Sequence, residues 1–267
     1  MRHALAVALS ILVLASPAAA QQRSATDDFT WQGRVPAGEW LQIRNINGQI
    51  TVDRATGDQV EVVATKRWRK GDPADVRIET TRFGAGDQSA LVCAIWGSST
   101  TCDERGYHDE RRRRNNNNND NDVSVDFNVK LPAGVRAELT SVNGTIRVVG
   151  ASAEIIAETV NGAIDASTTI GPVKAETVNG DITVRMDAIR GTEDLDFETV
   201  NGDVTAILPA SFQGEVELET VNGSLHTDFP ITVQGTLNRR HITTTLGSGG
   251  ARIRALTTNG GVTVMRR

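Results

Sequence analysis

An Asn-Gly dipeptide recurs seven times in this 267-residue chain, each time flanked by short runs of apolar, threonine and serine residues. Successive copies are separated by 96, 18, 18, 22, 21 and 37 residues, so the middle five keep a period near 20. Such a period is typical of stacked structural units that share one continuous core. The copies are Asn47-Gly48, Asn143-Gly144, Asn161-Gly162, Asn179-Gly180, Asn201-Gly202, Asn222-Gly223 and Asn259-Gly260.

Each dipeptide predicts a sharp corner between two strands, because Asn and Gly both tolerate a positive φ. Counting from Asn, positions −4, +3 and +5 carry apolar or threonine side chains and position −2 carries Thr, Ser or Asn, and all four positions would face one core. A two-residue hairpin and a solenoid coil both satisfy this alternation. We predict an all-β fold, a β-solenoid, because in a solenoid near-identical repeats stack like side chains on one another, and this stacking is stabilising. A hairpin-based β-sandwich is the alternative.

Composition agrees with a coil of narrow cross-section. Only 4% of the residues are aromatic, whereas 39% are hydrophobic, so Val, Ile, Ala and Thr would fill the core. All four Trp residues and the single Tyr lie before residue 108. The aromatic residues therefore separate an unusual first part from an aliphatic array.

The array begins twice. Val35–Gly38 and Leu131–Gly134 both read apolar-Pro-Ala-Gly, and each starts twelve residues before an Asn-Gly copy. We expect residues 21–130 to be an N-terminal β region with a cysteine-bearing excursion and an Arg/Asn-rich loop, and residues 131–267 to be the β-strand repeat array. The interval of 37 residues predicts a further, degenerate copy near Leu246–Gly250.

Residues 1–20 are typical of a secretory signal peptide. Arg2 precedes the apolar run Ala4–Leu14, and Ala18–Ala20 provides a small-residue cleavage site before Gln21. No later segment is apolar enough to span a bilayer. We expect an exported protein, periplasmic or secreted to the cell surface. Cleavage would leave a net charge of −6, which gives no electrostatic reason to bind nucleic acid.

Cys93 and Cys102 are the two cysteines of the chain. An even number of cysteines in an exported protein favours a disulfide. A zinc site with His108 is the alternative, but it lacks a fourth ligand and the usual paired spacing. We predict no resident metal or cofactor.

The segment Arg111–Arg114 is followed by the asparagine run Asn115–Asn119. Arginine binds phosphate through two parallel hydrogen bonds, so Arg111, Arg112, Arg113 and Arg114 are candidates for contact with a polyanion of the cell envelope. A solvated loop is the alternative, which the neighbouring asparagines favour.

The motif Glu176–Val184, its copies, the lead-in Leu131–Gly134 and the closing Thr257–Val262 resemble the bacterial putative-adhesin family of β-strand-repeat proteins, a domain of unknown function. The resemblance extends from about Phe29 to the last residue and is strongest from Leu131 onward. It implies a β-helical domain of the cell envelope or an exported one. It implies no catalytic residue.

Acidic residues recur within the repeat and would form outward columns in a solenoid. Carboxylate columns could hold calcium, but like charges about 4.8 Å apart in water repel by only ~0.9 kcal/mol, so a solvated face is the alternative. The residues are Glu158, Glu176, Glu198 and Glu219 at position −3, and Asp181 and Asp203 at position +2.

The sequence favours an exported, non-catalytic adhesion or interaction module whose partner is an unknown envelope protein or polymer. A structural or envelope-stress signalling scaffold is the alternative. An enzyme that acts on polysaccharides is a third hypothesis, because some β-helical proteins have such activity. Its candidate residues would be His226 and His241, but neither has an evident nucleophile beside it in the sequence.

Overall fold

The computed structural model describes residues 25–109, 121–189, 191–231 and 238–267. The expected signal peptide and Arg111–Arg114 lie outside the described residues. Apart from two short 3₁₀ turns, Pro73–Asp75 and Ala85–Asp87, every regular element described is a strand. The strands are β1 (Ala25–Gly33), β2 (Trp40–Arg44), β3 (Ile50–Arg54), β4 (Val60–Trp68), β5 (Val76–Phe83), β6 (Ser89–Trp96), β7 (Thr100–Asp103), β8 (Gly106–Asp109), β9 (Ser124–Leu131), β10 (Arg136–Thr140), β11 (Ile146–Ala151), β12 (Ile155–Asn161), β13 (Ile164–Thr168), β14 (Val173–Asn179), β15 (Ile182–Met186), β16 (Leu195–Asn201), β17 (Val204–Leu208), β18 (Gly214–Asn222), β19 (Leu225–Thr227), β20 (His241–Leu246), β21 (Ala251–Asn259) and β22 (Val262–Arg266).

Two parallel sheets face each other, and the chain alternates between them. Each Asn-Gly corner joins a strand of one sheet to a strand of the other, as between β14 and β15. Strands of successive coils pair in parallel with like positions side by side: Ala157 is opposite Ala175 and Thr159 is opposite Thr177. The β-solenoid prediction is confirmed. The hairpin alternative is wrong, because the strands on either side of a corner belong to different sheets.

The core lies between the two sheets and is made of the positions that the repeat predicts. In the coil around Asn179, Ala175 and Thr177 before the corner and Ile182 and Val184 after it are all buried. The glutamate at position −3 and the valine at position −1 point outward. The buried side chains are mostly Val, Ile, Leu and Ala.

The order of the coils in space differs from their order in the sequence at both ends. Within the described ranges, eight coils are stacked, and the strand pairs run β6/β9, β2/β3, β10/β11, β12/β13, β14/β15, β16/β17, β21/β22 and β18/β19. The first coil of the sequence, β2/β3, is therefore second in the stack. The last coil of the sequence, β21/β22, is second from the other end. The two lead-in turns stack directly, since Gly38 N–H donates to Gly134 O at 2.8 Å.

Antiparallel strands extend the sheets at both ends. Strands β1 and β4 continue one sheet beyond β9, and β5 continues the other beyond β6. At the opposite end β20 pairs antiparallel with β18. The expected degenerate copy near Leu246–Gly250 is wrong: Leu246 ends β20, and residues 247–250 form the turn to β21, where Gly247 and Gly249 adopt positive φ.

Candidate functional site

The seven corner asparagines form one continuous ladder of side-chain hydrogen bonds. Six of the seven amide nitrogens, all except that of Asn47, donate to the amide oxygen of the next coil at 2.8–2.9 Å. The ladder runs Asn222, Asn259, Asn201, Asn179, Asn161, Asn143 and Asn47, which is the spatial order of the coils. The recurring Asn therefore links neighbouring coils.

The corner glycines and the residues two before the Asn, five of them threonine, form a second ladder inside the first. Thr177 Oγ1 donates to Gly162 O at 3.0 Å, and Thr199 Oγ1 donates to Gly180 O at 2.9 Å. A Cβ atom at Gly180 would overlap the carbonyl of Gly162. Glycine is therefore required because the corners are in contact. Position −2 therefore carries a side chain that can donate to the glycine carbonyl of the neighbouring coil.

An apolar stripe runs along the same corners, because five of the seven coils carry an exposed valine at position −1. Its members lie beside the asparagine ladder and complete a mixed amide and aliphatic ridge. They are Val142, Val160, Val178, Val200 and Val221, between 36% and 47% exposed.

The predicted acidic column at position −3 is interrupted. Glu158, Glu176 and Glu198 are neighbours on three adjacent strands, but Leu256 separates Glu198 from Glu219. Burial raises the pKa of Glu158, with smaller contributions from the negative charges of Glu176 and Glu138. Glu198 accepts a hydrogen bond from Arg254 Nη1 at 3.2 Å.

The two aspartates at position +2 bind backbone groups of the neighbouring coil. Asp181 Oδ1 accepts the N–H of Asp203 at 2.8 Å, and Asp203 Oδ1 accepts the N–H of Gly261 at 2.7 Å. These contacts give both carboxylates a structural role at the corners, separate from the calcium stripe considered above.

Where the coil β6/β9 would have an Asn-Gly corner, the chain instead makes the cysteine-bearing excursion. Val125 takes the place of the missing corner glycine. Its N–H donates to Asn47 O at 2.7 Å, as the N–H of a corner glycine donates to the asparagine of the next coil. Asn45 Nδ2 donates to Val125 O at 2.8 Å and replaces the hydroxyl that position −2 carries in most coils. The excursion therefore begins and ends beside the ladder of corners.

The hairpin β7–β8 folds back over the outer face of the solenoid. Cys93 and Cys102 form the predicted disulfide, which joins the hairpin to β6. Tyr107 packs against the cluster of Leu91, Cys93 and Ile95, and its hydroxyl donates to Ala94 O at 2.8 Å. Burial raises the pKa of the Tyr107 hydroxyl.

Arg44 holds the hairpin to the solenoid, and His108 bonds across the two strands of the hairpin. Arg44 lies under it, 8% exposed, and donates to Glu104 O at 2.6 Å and to Glu138 Oε1 at 2.9 Å. His108, the third residue of the zinc alternative, bonds Asp103 Oδ1 at 2.9 Å. That hydrogen bond is the main reason that the pKa of Asp103 is lowered.

A carboxylate fixes the chain where it returns from the excursion. Asp122 accepts hydrogen bonds from three successive backbone N–H groups, those of Arg69, Lys70 and Gly71, at 2.9–3.3 Å. These bonds lower the pKa of Asp122. Sequence reasoning missed this contact, because the partners are about fifty residues apart and no local pattern marks them.

A recess opens beside this anchor. It is lined by arginine, tryptophan and polar side chains from the end of β4 and the residue after it, and from the chain that leads into β9. Arg67 in its wall pairs with Asp126 at 3.2 Å. The remaining lining residues are Trp68, Arg69, Asp122 and Ser124.

The two histidines considered for catalysis lie near the far end of the solenoid. His226 pairs with Asp228 at 3.3 Å. His241 lies 3.4 Å from Glu219, and Thr243 Oγ1 is 3.1 Å from its other ring nitrogen. The ligand atoms of Glu217, Glu219 and His241 all lie within 4.8 Å of one another, but Arg252 is already paired with Glu217.

These observations define a two-sheet β-solenoid with stacked Asn-Gly corners and a stapled excursion at one end. Residues 108–265 match the family described as Toastrack DUF4097, a domain of unknown function, and the chain belongs to this family. No curated protein matches the chain. None of the helical segments among the described residues is long and apolar enough to cross a membrane.

Solved structures with low sequence identity also align with the chain. A putative cell adhesion protein from Clostridium sporogenes ATCC 15579 is 10% identical, with a TM-score of 0.42, over 91% of this chain and 100% of that one. A putative adhesin from Bacteroides fragilis NCTC 9343 is 11% identical, with a TM-score of 0.27, over 90% of this chain and 97% of that one.

Proposed function

We propose that this protein is an exported, non-catalytic interaction module of the cell envelope. In this proposal residues 131–267 form the scaffold, and residues 21–130 determine what is bound. The repeat supports the division, because its polar groups serve the stacking of coils. The residues that depart from the repeat gather in the excursion, and binding residues commonly lie on loops held by a rigid scaffold.

The observation that carries the proposal is the way in which the excursion is held. The hairpin is fixed by the disulfide, by Tyr107 and by Arg44, and the returning chain is fixed by Asp122. Residues 110–120 connect these two anchored points. Nothing in the core requires such fixation, since β6 and β9 could be joined by a short corner. We infer that the anchors present the connecting segment to a partner.

The chemistry of the connecting segment favours an anionic polymer. It contains Arg111–Arg114, and each guanidinium can bind a phosphate group through two hydrogen bonds. Further cations stand at the anchored return, where Arg69 and Lys70 precede Gly71. The proposed partner is therefore a phosphate-rich polymer of the envelope.

The test is a binding measurement with polyphosphate immobilised on beads, at low and at high salt. The variant replaces all four residues Arg111–Arg114 by Ser. The matched control removes the same number of charges elsewhere, at Arg147, Arg185, Arg239 and Arg240. We expect retention of the original chain at low salt, loss in the test variant and retention in the control. Retention should also fall as salt screens the charges.

Three outcomes would contradict the proposal. Equal loss in both variants would show an effect of net charge alone. Unchanged retention in the test variant would exclude the arginine segment and favour the scaffold alternative. Retention of polygalacturonate beads as strong as that of polyphosphate would remove the preference for phosphate.

A further inference from the structure

The asparagine ladder has two unlike ends. In a parallel stack, the N–H of each corner glycine donates to the backbone oxygen of the asparagine in the next coil, as Gly162 does to Asn179 at 3.0 Å. At one end Gly48 still has a partner, because it donates to Asn143 O at 2.9 Å. At the other end the series closes with Gly260, which donates to Asn222 O at 3.1 Å.

Gly223 therefore lies beyond the last partner. Of the seven corner glycines, all in the described part of the chain, it alone has no backbone oxygen bound to its N–H. It is also exposed, whereas the other six are only partly exposed. Asn222 beside it donates from Nδ2 to Asn259 Oδ1, but its own Oδ1 accepts no hydrogen bond from any other described residue.

This difference matters because Asn-Gly is the dipeptide in which asparagine most readily reacts with its own backbone. The deprotonated nitrogen of the glycine attacks Cγ of the asparagine, the bond from Cγ to Nδ2 breaks, and ammonia leaves. The resulting succinimide then adds water at one of its two carbonyl carbons, and the ring opens to aspartate or isoaspartate. The reaction needs a free glycine nitrogen and a carboxamide that can turn toward it.

At the six other corners the stack binds the glycine nitrogen, and at the five interior corners the ladder also fixes the carboxamide. Their glycine nitrogens are pinned by hydrogen bonds to a neighbouring coil, so reaction requires local opening of the stack. The interior carboxamides are held at both ends, since each donates to one neighbour and accepts from another. We propose that Asn222 is the site of succinimide formation in the folded protein, and that the other six Asn-Gly dipeptides are protected by the fold.

The product would weaken the terminal coil. A carboxylate at position 222 cannot donate to Asn259 Oδ1, so the last rung of the ladder would be lost. Isoaspartate would also insert a methylene into the main chain between β18 and β19. The modification would therefore begin at the outermost coil and leave the interior stack intact.

The experiment is incubation of the full chain at mildly alkaline pH, followed by peptide mapping of every Asn-Gly dipeptide by mass spectrometry. The same incubation in strong urea is the control for intrinsic reactivity. We expect all seven dipeptides to react at comparable rates in urea, and Asn222 to react at least on the order of tenfold faster than the others in the folded chain. Incubation in ¹⁸O water would mark the product formed during the experiment.

A variant separates the hydrogen-bond argument from simple exposure at the end of the stack. Asn222→Gln removes the reactive residue but keeps the backbone oxygen that binds Gly260. We expect Asn259 to remain as slow in this variant as in the original chain. Equal rates at all seven sites in the folded chain, or an Asn222 as slow as Asn161, would overturn the proposal. Fast reaction of Asn259 in the variant would overturn the role assigned to the glycine N–H.

Discussion

Asn259 donates a hydrogen bond to Asn201 at 2.8 Å, although 58 residues separate them in the sequence. Asn222 in turn donates to Asn259, so the last coil of the chain lies between two coils that were synthesised before it. The parallel pairing shows the same order, because β21 pairs with β16 on one side and β18 on the other. The C-terminal coil thus closes a gap in the stack.

Truncation after Gly250 should therefore be far more damaging than loss of an end coil. Strand β18 would lose its parallel partner, while β16 and β17 would expose their edges. We expect the free energy of unfolding to fall by more than about 4 kcal/mol, a loss outside the usual range of single changes. Hydrogen exchange should show loss of protection over Gly214–Asn222, while Ile155–Asn161 stays protected. Persistent protection of Gly214–Asn222 would contradict the inserted position of the coil.

The corner glycines provide a second prediction. Gly180→Ala places a Cβ against the carbonyl of Gly162, so the two coils must move apart. We expect a loss of about 2–4 kcal/mol, measured by urea denaturation. Gly57→Ala is the matched control, because a Cβ at Gly57 has no heavy atom within 4 Å. Similar effects for both variants would show that backbone entropy, rather than contact between corners, decides the cost.

The sequence predicts the coil but not the order of the coils. The positions that face the core follow from alternation around each Asn, and the buried Ala175, Thr177, Ile182 and Val184 agree with it. Near-identical strands can pair in any order, however, because every coil offers the same ladder of Asn, Thr and Gly to its neighbours. The order of the coils in the stack therefore depends on long-range contacts, which no local sequence pattern indicates.

The contacts of the excursion were not predicted, because they too depend on residues that are distant in the sequence. Strand β6 is buried on both faces, and a short apolar run of that kind predicts a strand without showing what covers it. The cover is the hairpin containing Tyr107, whose side chain meets Leu91 and Ile95. The contact of Asp122 with Arg69, Lys70 and Gly71 likewise depends on the tertiary fold alone.

Removal of the disulfide should loosen the hairpin and leave the solenoid folded. The double variant Cys93→Ala, Cys102→Ser opens a loop of ten residues, worth about 2.7 kcal/mol on the chain-entropy account. We expect lower stability in urea but an unchanged β-sheet circular dichroism spectrum. Faster proteolysis should be confined to the excursion. Cleavage within Ile155–Asn161 would contradict this separation.

Glu158 gives a prediction that depends on pH. Its pKa is raised by burial and by the neighbouring Glu176 and Glu138, so the folded state binds the proton more tightly than the unfolded state does. The charged form therefore costs stability above the raised pKa, and this cost disappears as the pH falls through that pKa. Glu158→Gln should stabilise the protein at neutral pH. The gain should stay below about 1 kcal/mol, because the side chain is partly exposed and solvent screens its charge.

Urea denaturation at neutral pH and at a pH below about 4.3, the ordinary glutamate pKa, checks this expectation. The gain from Glu158→Gln should be present at neutral pH and absent at the lower pH. Glu198→Gln is the matched control, because Glu198 lies in the same column but accepts a hydrogen bond from Arg254. It should bring no gain at neutral pH. A gain of equal size from both variants would show that the column is destabilised by its summed charge rather than by the burial of Glu158.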